Sequence, residues 1–396
     1  MSQFSWISPI KIVFGPGAVA ALGKEAQAFG SRVAVVTGKS GTARLAKEKV
    51  APVLQGHVDM IHGVNPEPAV EDVLTLKANL ERLQPDVVIA VGGGSVVDVT
   101  KLASSLVGNP GTIYDYLLSG AQLQRPGIPV IAVPTTAGAG SEADCTSMIR
   151  IPERNLKRPV SQPLNGAKVA VVDPELTLGL PPYQTAISGA DALTHALECY
   201  TSADYSPMSQ SLAWMALTSI YGNYEEAVVH GDNLQARTEV MLGSVTAGVA
   251  MLNKGLGVVH AVAHALAGHY TISHGHLCGA LLPHAIRLNA ETAPQGYAEV
   301  ARLVGGGSVP ADDRAAANWL ADYTAAMFLR CGVEPKVHVA TRLEAMPWDT
   351  ILDALKYSKS LALNARPVNV TQCRELLERV LLSDAADPGA AGRMAG

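Results

Sequence analysis

The sequence predicts a parallel α/β domain wrapped by helices, followed by an all-helical domain, and three observations carry that expectation. Short β-branched runs alternate with amphipathic stretches across residues 1–180. The dipeptide Pro181-Pro182 then interrupts the chain. Beyond it, strand-like runs give way to Ala- and Leu-rich stretches with helix-compatible spacing as far as about residue 382.

The four clearest runs are Arg32-Val-Ala-Val-Val-Thr37, Asp86-Val-Val-Ile-Ala-Val91, Pro129-Val-Ile-Ala-Val-Pro134 and Lys168-Val-Ala-Val-Val-Asp173. Each is too short for a helix and is stopped by Gly or Pro, so each reads as a buried strand. The boundary at Pro181 gives an α/β domain over residues 1–180 and a helical domain over residues 181–396. The segment from Ser383 to Gly396, rich in Ala, Gly, Asp and Pro, is expected to fray.

Composition narrows the function classes. At 396 residues the chain suits two cores of roughly 100–200 residues each. Apolar residues make up 48% and charged residues 16%, which leaves ample material to bury. The net charge of -5 comes without a Lys/Arg block, so neither nucleic acid nor an anionic membrane is expected as partner, and a small molecule is. Five widely spaced cysteines without a CxxC pair argue against a disulfide framework and fit a reducing cytoplasm. The N-terminus lacks a basic region followed by an apolar stretch, and no run of ~18 apolar residues occurs. A protein neither exported nor membrane-spanning is the expectation.

Two loops look built for phosphate. Val91-Gly-Gly-Gly-Ser-Val-Val-Asp98 follows a predicted strand and enters a predicted helix. Gly92, Gly93 and Gly94 let backbone N–H groups approach a phosphate with no Cβ in the way, Ser95 adds a hydroxyl, and the helix N-terminus favours an anion. Pro134-Thr-Thr-Ala-Gly-Ala-Gly-Ser141 is a second such loop, with Thr135 and Thr136 directly after a strand. Either could be turn and capping chemistry alone. Two of them at strand C-terminal ends form the crevice where open α/β sheets bind ligands.

The helical half carries a metal-like constellation. In Ser188-Gly-Ala-Asp191-Ala-Leu-Thr-His195, Asp191 and His195 fall one turn apart on one helix face. Further on, His260, His264, His269, His274 and His276 place five of the eleven histidines within a short stretch. A lone His among alanines is more often a core residue than a ligand, but this density beside an Asp-x3-His helix points to a cation. One carboxylate with several imidazoles suits Fe(II), Zn or another first-row ion.

These motifs, in this order, resemble the iron-dependent alcohol dehydrogenase family, whose relatives include glycerol dehydrogenase and dehydroquinate synthase. The resemblance runs from Phe14-Gly-Pro-Gly17, through Gly92-Gly-Gly-Ser-Val-Val-Asp-Val-Thr-Lys101 and Pro134-Thr-Thr-Ala-Gly-Ala-Gly-Ser-Glu142, to Val172-Asp-Pro174 and the histidine region. It implies a Rossmann-like dinucleotide-binding domain, an all-α domain with the dehydroquinate synthase-like architecture, and hydride transfer between a nicotinamide and a small alcohol or aldehyde. It also implies metal ligands at Asp191, His195, His260 and His274, with Fe2+ as the ion and Zn2+ as the alternative. His264 becomes a non-ligand beside substrate and nicotinamide that carries the proton, whereas His269, His276 and His284 take supporting or structural places. Cofactor contacts are implied at Asn65, the Gly92 to Asp98 turn, Thr135, Thr136 and Lys157. Homodimers are common in the family.

Three further expectations follow. Many members of the resembled family carry Asp after the Val-Thr of the first strand, but here Gly38-Lys39-Ser40 follows Val36-Thr37, which favours NADP(H) over NAD(H). Arg150, Arg154, Lys157 and Arg158 read as a solvated basic cluster, so small neutral or mildly polar substrates are expected. A non-redox lyase like dehydroquinate synthase would need several cations near the ligands, where only Lys254 stands. A maleylacetate-type reductase would tend to lack Asp98, and a non-catalytic scaffold would have no use for the metal set.

Overall fold

A computed structural model describes residues 4–204, 206–356 and 358–383. The tail expected to fray lies, after Ser383, outside the described residues. Strands β1 (Lys11–Phe14), β2 (Arg32–Thr37), β3 (His57–His62), β4 (Val87–Gly92), β5 (Val130–Pro134), β6 (Thr146–Ile151), β7 (Leu156–Ser161) and β8 (Val169–Val172) occupy the first half. Six of them form one parallel sheet in the order β1-β8-β5-β4-β2-β3, while β6 and β7 pair as a separate antiparallel hairpin.

The helices of this half are α1 (Leu22–Gln27), α2 (Ser40–Leu45), α3 (Val70–Leu83), α4 (Gly94–Leu106) and α5 (Ile113–Leu118). Strand side chains alternate between two cores. Val33, Val35, Ile89, Val91, Ile131 and Val171 pack with Leu22 on one face. Ala34, Val36, Val88, Ala90 and Ala132 pack with α3 and α4 on the other. Burial on both faces is why these strands read as continuous apolar runs.

The four predicted strands are present within a residue or so at each end. The edge strands β1 and β3 carry no such signature, because one side of each lies open and tolerates polar residues, as in His57-Val-Asp-Met-Ile-His62. Two motifs of the sequence meet at the β1 edge. The Asp173 carboxylate accepts from the backbone N–H groups of Gly17 (3.1 Å) and Val19 (3.0 Å), which ties the Gly-Pro-Gly turn to the Asp-Pro step.

After Pro181 come α6 (Pro182–Thr201), α7 (Pro207–Val229), α8 (Leu234–Lys254), α9 (Val258–Ala267), α10 (His274–Ala290), α11 (Gln295–Gly305) and α12 (Asp313–Arg330), with shorter helices beyond. They enclose a separate core built on Leu193, Leu197, Leu217, Ile220, Leu266 and Leu281. One parallel pair, β9 (Val337–Val339) with β10 (Leu381–Ser383), interrupts this helical half, where the sequence predicts helix alone. No single described helix is long and apolar enough to cross a membrane.

Candidate active site

The sheet places the predicted loops side by side. Thr37 at the end of β2 pairs with Val91 of β4, and Gly92 pairs with Pro134 at the end of β5. The strand order reverses between β2 and β4, so their C-terminal ends flank the crevice that a doubly wound sheet offers to a nucleotide. Gly38 is buried at the end of β2 and Lys39 is exposed beside it. The Ser40 side chain lies outside the described residues. Asn65, past β3, is exposed and donates to Asp72 Oδ1 at 2.7 Å.

The glycine run is needed chiefly for close packing. A Cβ on Gly92 would stand 2.5 Å from a Val96 methyl, one on Gly93 3.2 Å from Thr136 Oγ1, and one on Gly94 2.6 Å from Ala139 Cβ. Thr135 is buried and its N–H donates to Gly92 O at 3.1 Å, so the two phosphate-type loops are locked together. Helix α4 starts at Gly94 and leaves the unpaired N–H groups of a helix N-terminus at this spot, with Ser95 half-buried beside them.

Two charged side chains of the predicted cofactor set are also engaged within the protein. The carboxylate of Asp98 accepts from Ser141 Oγ and from the N–H of Met148 at 2.9 Å, with Lys101 nearby at 3.5 Å. It braces the second loop because α4 turns that face inward. Lys157, read as part of a solvated cluster, has a side chain only 6% exposed and pairs with Glu67 Oε2 at 2.7 Å. Strand β7 packs on α9, so the Lys157 charge stands close enough to His264 and His274 to lower their pKa values, and a buried ammonium needs the Glu67 partner.

The Thr135–Ser141 loop also reaches the helical half. The Gly138 carbonyl lies 3.3 Å from His195 Nδ1, and a Cβ on Gly138 would collide with Ser188 of α6. Gly140 packs backbone to backbone against Gly248 of α8. One loop thus sets the spacing between the nucleotide turn and the histidines.

Helices α6, α9 and α10 converge on Asp191, which is 6% exposed. Its Oδ1 stands 3.9 Å from His195 Nε2, 3.5 Å from His260 Nε2 and 3.6 Å from His274 Nε2. These separations are too long for good hydrogen bonds and close to the ~3.4 Å between two donors that share a tetrahedral ion. Asp191 Oδ1 is buried and has no hydrogen-bond partner, so its negative charge fits a cation held among these rings. Close approach of α10 depends on Gly275, where a Cβ would stand 2.2 Å from the Ile187 carbonyl of α6.

Protonation differs among the rings: burial opposes a charge on His260, but Cys278, Glu198 and Asp191 around it hold its pKa well above the usual imidazole value. Burial lowers the pKa of His195 and of His274 to about 4 in spite of the Asp191 charge, so both rings are neutral near pH 7, as ligation requires. Asp191 is held far below the usual carboxylate range: burial opposes ionisation, but the surrounding imidazoles outweigh it. His264 is also pushed well down by burial, and its ring lies parallel to that of His274 at 5.1 Å. His276 bridges Tyr183 Oη and the Glu334 carbonyl, and His269 lies 3.4 Å from Thr350 Oγ1, both away from the cluster.

Three side chains were not singled out by sequence. Glu198 accepts from Val259 N–H and lies 2.7 Å from His260 Nδ1; its place one turn after His195 was the available signal. Cys278 Sγ lies 3.6 Å from His274 Nε2, again one turn along a helix. Glu67, the partner of Lys157, adopts a left-handed backbone (φ 52°) that no motif announces.

Comparison with known proteins matches this arrangement. A model of iron-containing alcohol dehydrogenases matches residues 9–174, and a model of the C-terminal region of that family matches residues 185–338. The chain belongs to the iron-containing alcohol dehydrogenase family. Among its relatives, 1,3-propanediol dehydrogenase of Klebsiella pneumoniae is 35% identical over 310 residues, covering 76% of this chain and 80% of that one. Long-chain-alcohol dehydrogenase 1 of Geobacillus thermodenitrificans is 39% identical over 247 residues, 62% of each chain. The crystal structure of a 1,3-propanediol oxidoreductase superposes with a TM-score of 0.86 at 30% identity, over 95% of this chain and 99% of that one. This alcohol dehydrogenase is therefore a metal-dependent oxidoreductase that acts on alcohols. Family membership implies a divalent metal, iron, and NAD(H) use, and neither the lyase nor the scaffold alternative is favoured.

Proposed function

We propose that this enzyme interconverts small neutral or mildly polar alcohols and their aldehydes, with Asp191, His195, His260 and His274 as metal ligands and NADP(H) preferred over NAD(H). The observation that carries the reading is the convergence of three imidazole Nε2 atoms on the unpartnered Asp191 Oδ1. Gly38, Lys39 and Ser40, with Asn65, the Gly92-Gly93-Gly94-Ser95 turn, Asp98, Thr135, Thr136 and Lys157, would hold the nucleotide. Residues 1–180 and 181–396 act as nucleotide and metal domains, and the enzyme works as a homodimer in the cytoplasm. Five buried, unbridged cysteines support a reducing compartment.

When bound, the divalent ion supplies Lewis acidity toward the substrate oxygen and the nicotinamide supplies or accepts the hydride. Asp191 gives the ligand set one negative charge, and the imidazoles of His195 and His274, neutral near pH 7, add none. His264, half-buried and neutral because its pKa is pushed well down, would take the alcohol proton at a ring nitrogen during oxidation and return it to the substrate oxygen during reduction. The balance is alcohol plus oxidised nicotinamide against carbonyl, reduced nicotinamide and one proton. The Lys157–Glu67 pair compensates a cation whose charge reaches His264 and His274, which supports a neutral substrate over an acidic one.

The test is the absorbance of reduced nicotinamide with a panel of short alcohols and aldehydes after iron or zinc reconstitution. Turnover of neutral aldehydes is the expected outcome. Turnover restricted to carboxylated, sulfonated or phosphonated aldehydes would overturn the substrate reading.

A further inference from the structure

Glu67 lies between Pro66 and Pro68 in the loop after β3, and its backbone is left-handed (φ 52°), a conformation that a residue before proline rarely adopts. Strand β6 holds this loop, since the Arg150 N–H donates to the Pro68 carbonyl at 2.9 Å. The Glu67 carboxylate pairs with Lys157 Nζ at 2.7 Å. Arg150 pairs with Lys157 across the β6–β7 hairpin and is the second cation here. Its Nη1 donates to Thr271 Oγ1 at 3.1 Å, just before α10, and its Nε is buried without a hydrogen-bond partner. Among the described residues no carboxylate lies within ion-pair distance of Arg150. The hairpin also abuts the helix that carries His260 and His264: a Cβ on Gly268, at the end of α9, would stand 2.3 Å from the Asn155 carbonyl. The charge of Lys157 accordingly reaches His264 and His274, and that of Glu67 reaches His274. Burial opposes ionisation of Glu67, but Lys157 and Arg150 help to hold its carboxyl below the usual range.

We propose that Glu67 is a specificity-determining residue: its carboxylate, set against Lys157 and Arg150 beside α9 and α10, disfavours aldehydes that carry a carboxylate, sulfonate or phosphonate. This rests on the neutral-substrate reading above and names the residue responsible for it. Two cations beside a cleft are what an acidic aldehyde needs for binding. One carboxylate between them cancels that attraction, by pairing with the first cation and acting on the second, and adds its own repulsion. The alternative is an ion pair that merely fastens the loop to the hairpin. Backbone contacts already do this, through the Arg150 N–H to Pro68 and the Ala69–Arg150 bridge. A buried ion pair also adds little stability that apolar residues could not supply, so fastening alone gives no reason for a charge at this strained position.

The experiment compares butanal with succinic semialdehyde, which carries a carboxylate on a chain of the same length, using the full-length enzyme reloaded with iron or zinc and saturated with reduced nicotinamide. The readout is the ratio of kcat/KM for the anionic aldehyde to that for the neutral one, in which losses of metal or of folded protein cancel. The unmodified enzyme is expected to favour butanal. Glu67→Gln should raise the ratio roughly tenfold, whereas Glu67→Asp, which keeps the charge, should stay near the original value. Arg150→Gln should lower the ratio further, since it leaves Glu67 facing one cation instead of two, and this opposite shift is read without the Glu67 variants. Equal ratios in the unmodified enzyme, Glu67→Gln and Arg150→Gln overturn the role of Glu67 and leave the neutral-substrate reading standing. An unmodified enzyme that already favours succinic semialdehyde overturns both.

Discussion

Glu198 Oε2 lies 2.7 Å from His260 Nδ1, and this contact turns His260 Nε2 toward Asp191. The other Glu198 oxygen accepts from Val259 N–H at 2.7 Å, so the carboxylate is fixed at both ends. A carboxylate behind a ligating imidazole sets its tautomer and raises its basicity. Glu198→Ala should therefore weaken metal binding roughly 10–100-fold without removing a proposed ligand. Competition against a chelator of known affinity measures this. Unchanged affinity would mean that the pair serves folding alone.

Replacing His195 or His274 by Ala should strip most of the metal and the activity. Nucleotide binding should persist, because the sheet and the helices bury separate cores. Elemental analysis and nucleotide titration of the same preparations check both halves. Full metal occupancy in both variants would defeat the ligand assignment.

The central strands were legible because burial on both faces makes them uniformly apolar, whereas edge strand β3 mixes His57, Asp59 and His62 into its pattern and could not be read that way. The closeness of Asp191 and His195 was legible from their places one turn apart, since helical spacing alone brings them to one face. Cys278 obeys the same spacing from His274, but a single thiol in an apolar stretch reads as core. The destination of Asp98 was not legible, because its partners Ser141 and Met148 are more than forty positions away in sequence and meet it only through the packing of β6 on α4. Lys157 misled for a similar reason: its partner Glu67 is ninety positions distant.

Gly94→Ala should damage both stability and nucleotide binding. The added methyl would stand 2.6 Å from Ala139 Cβ, closer than real carbon pairs come, and neither atom can rotate away. Overpacking of this kind costs about 1–3 kcal/mol. Adding Ala139→Gly removes the opposing methyl and should recover most of the loss. Melting temperature and nucleotide affinity of the single and double variants test it, and no recovery in the double variant would show that another contact decides.

Glu142 is buried beside the second loop, and burial raises its pKa from 4.5 to about 7 in spite of the attraction of Lys101. A carboxyl whose pKa is raised on folding stabilises the folded state below its unfolded pKa and loses that contribution as pH rises through the folded value. Stability should thus decline from about pH 4.5 to beyond pH 7. Glu142→Gln cannot ionise, so relative to the unmodified enzyme it should gain stability across that window, by up to about 3 kcal/mol at pH 8. Melts at pH 5 and pH 8 give the comparison. An equal difference at both pH values would place the ionisation elsewhere.

The cofactor preference rests on Gly38, and the structure removes the simplest objection to reading it chemically. Gly38 is absent from the glycines with positive φ, so the backbone does not require glycine there. An added Cβ would have one tight neighbour, Thr42 Oγ1 at 3.1 Å, which is the end of a rotatable side chain; Val64 O and Val96 Cγ2 stand at 3.6 Å. A β-carbon at the end of β2, at the rim of the crevice, therefore requires only that Thr42 give way slightly. In NAD-binding sheets an acidic group near a strand end accepts from the ribose 2′-hydroxyl and repels a 2′-phosphate. Its absence, with the exposed Lys39 next to it, favours the phosphate. The unmodified enzyme should accordingly show a higher kcat/KM with NADP(H), and Gly38→Asp should shift the ratio toward NAD(H). An anion set against the phosphate is worth roughly 1–3 kcal/mol, or about 5- to 150-fold. Metal content should not change, since Gly38 follows β2 of the sheet whereas Asp191 lies on α6 of the helical half. Measuring kcat/KM for both cofactors in both proteins decides it: a tenfold preference of the unmodified enzyme for NAD(H) would refute the charge argument outright.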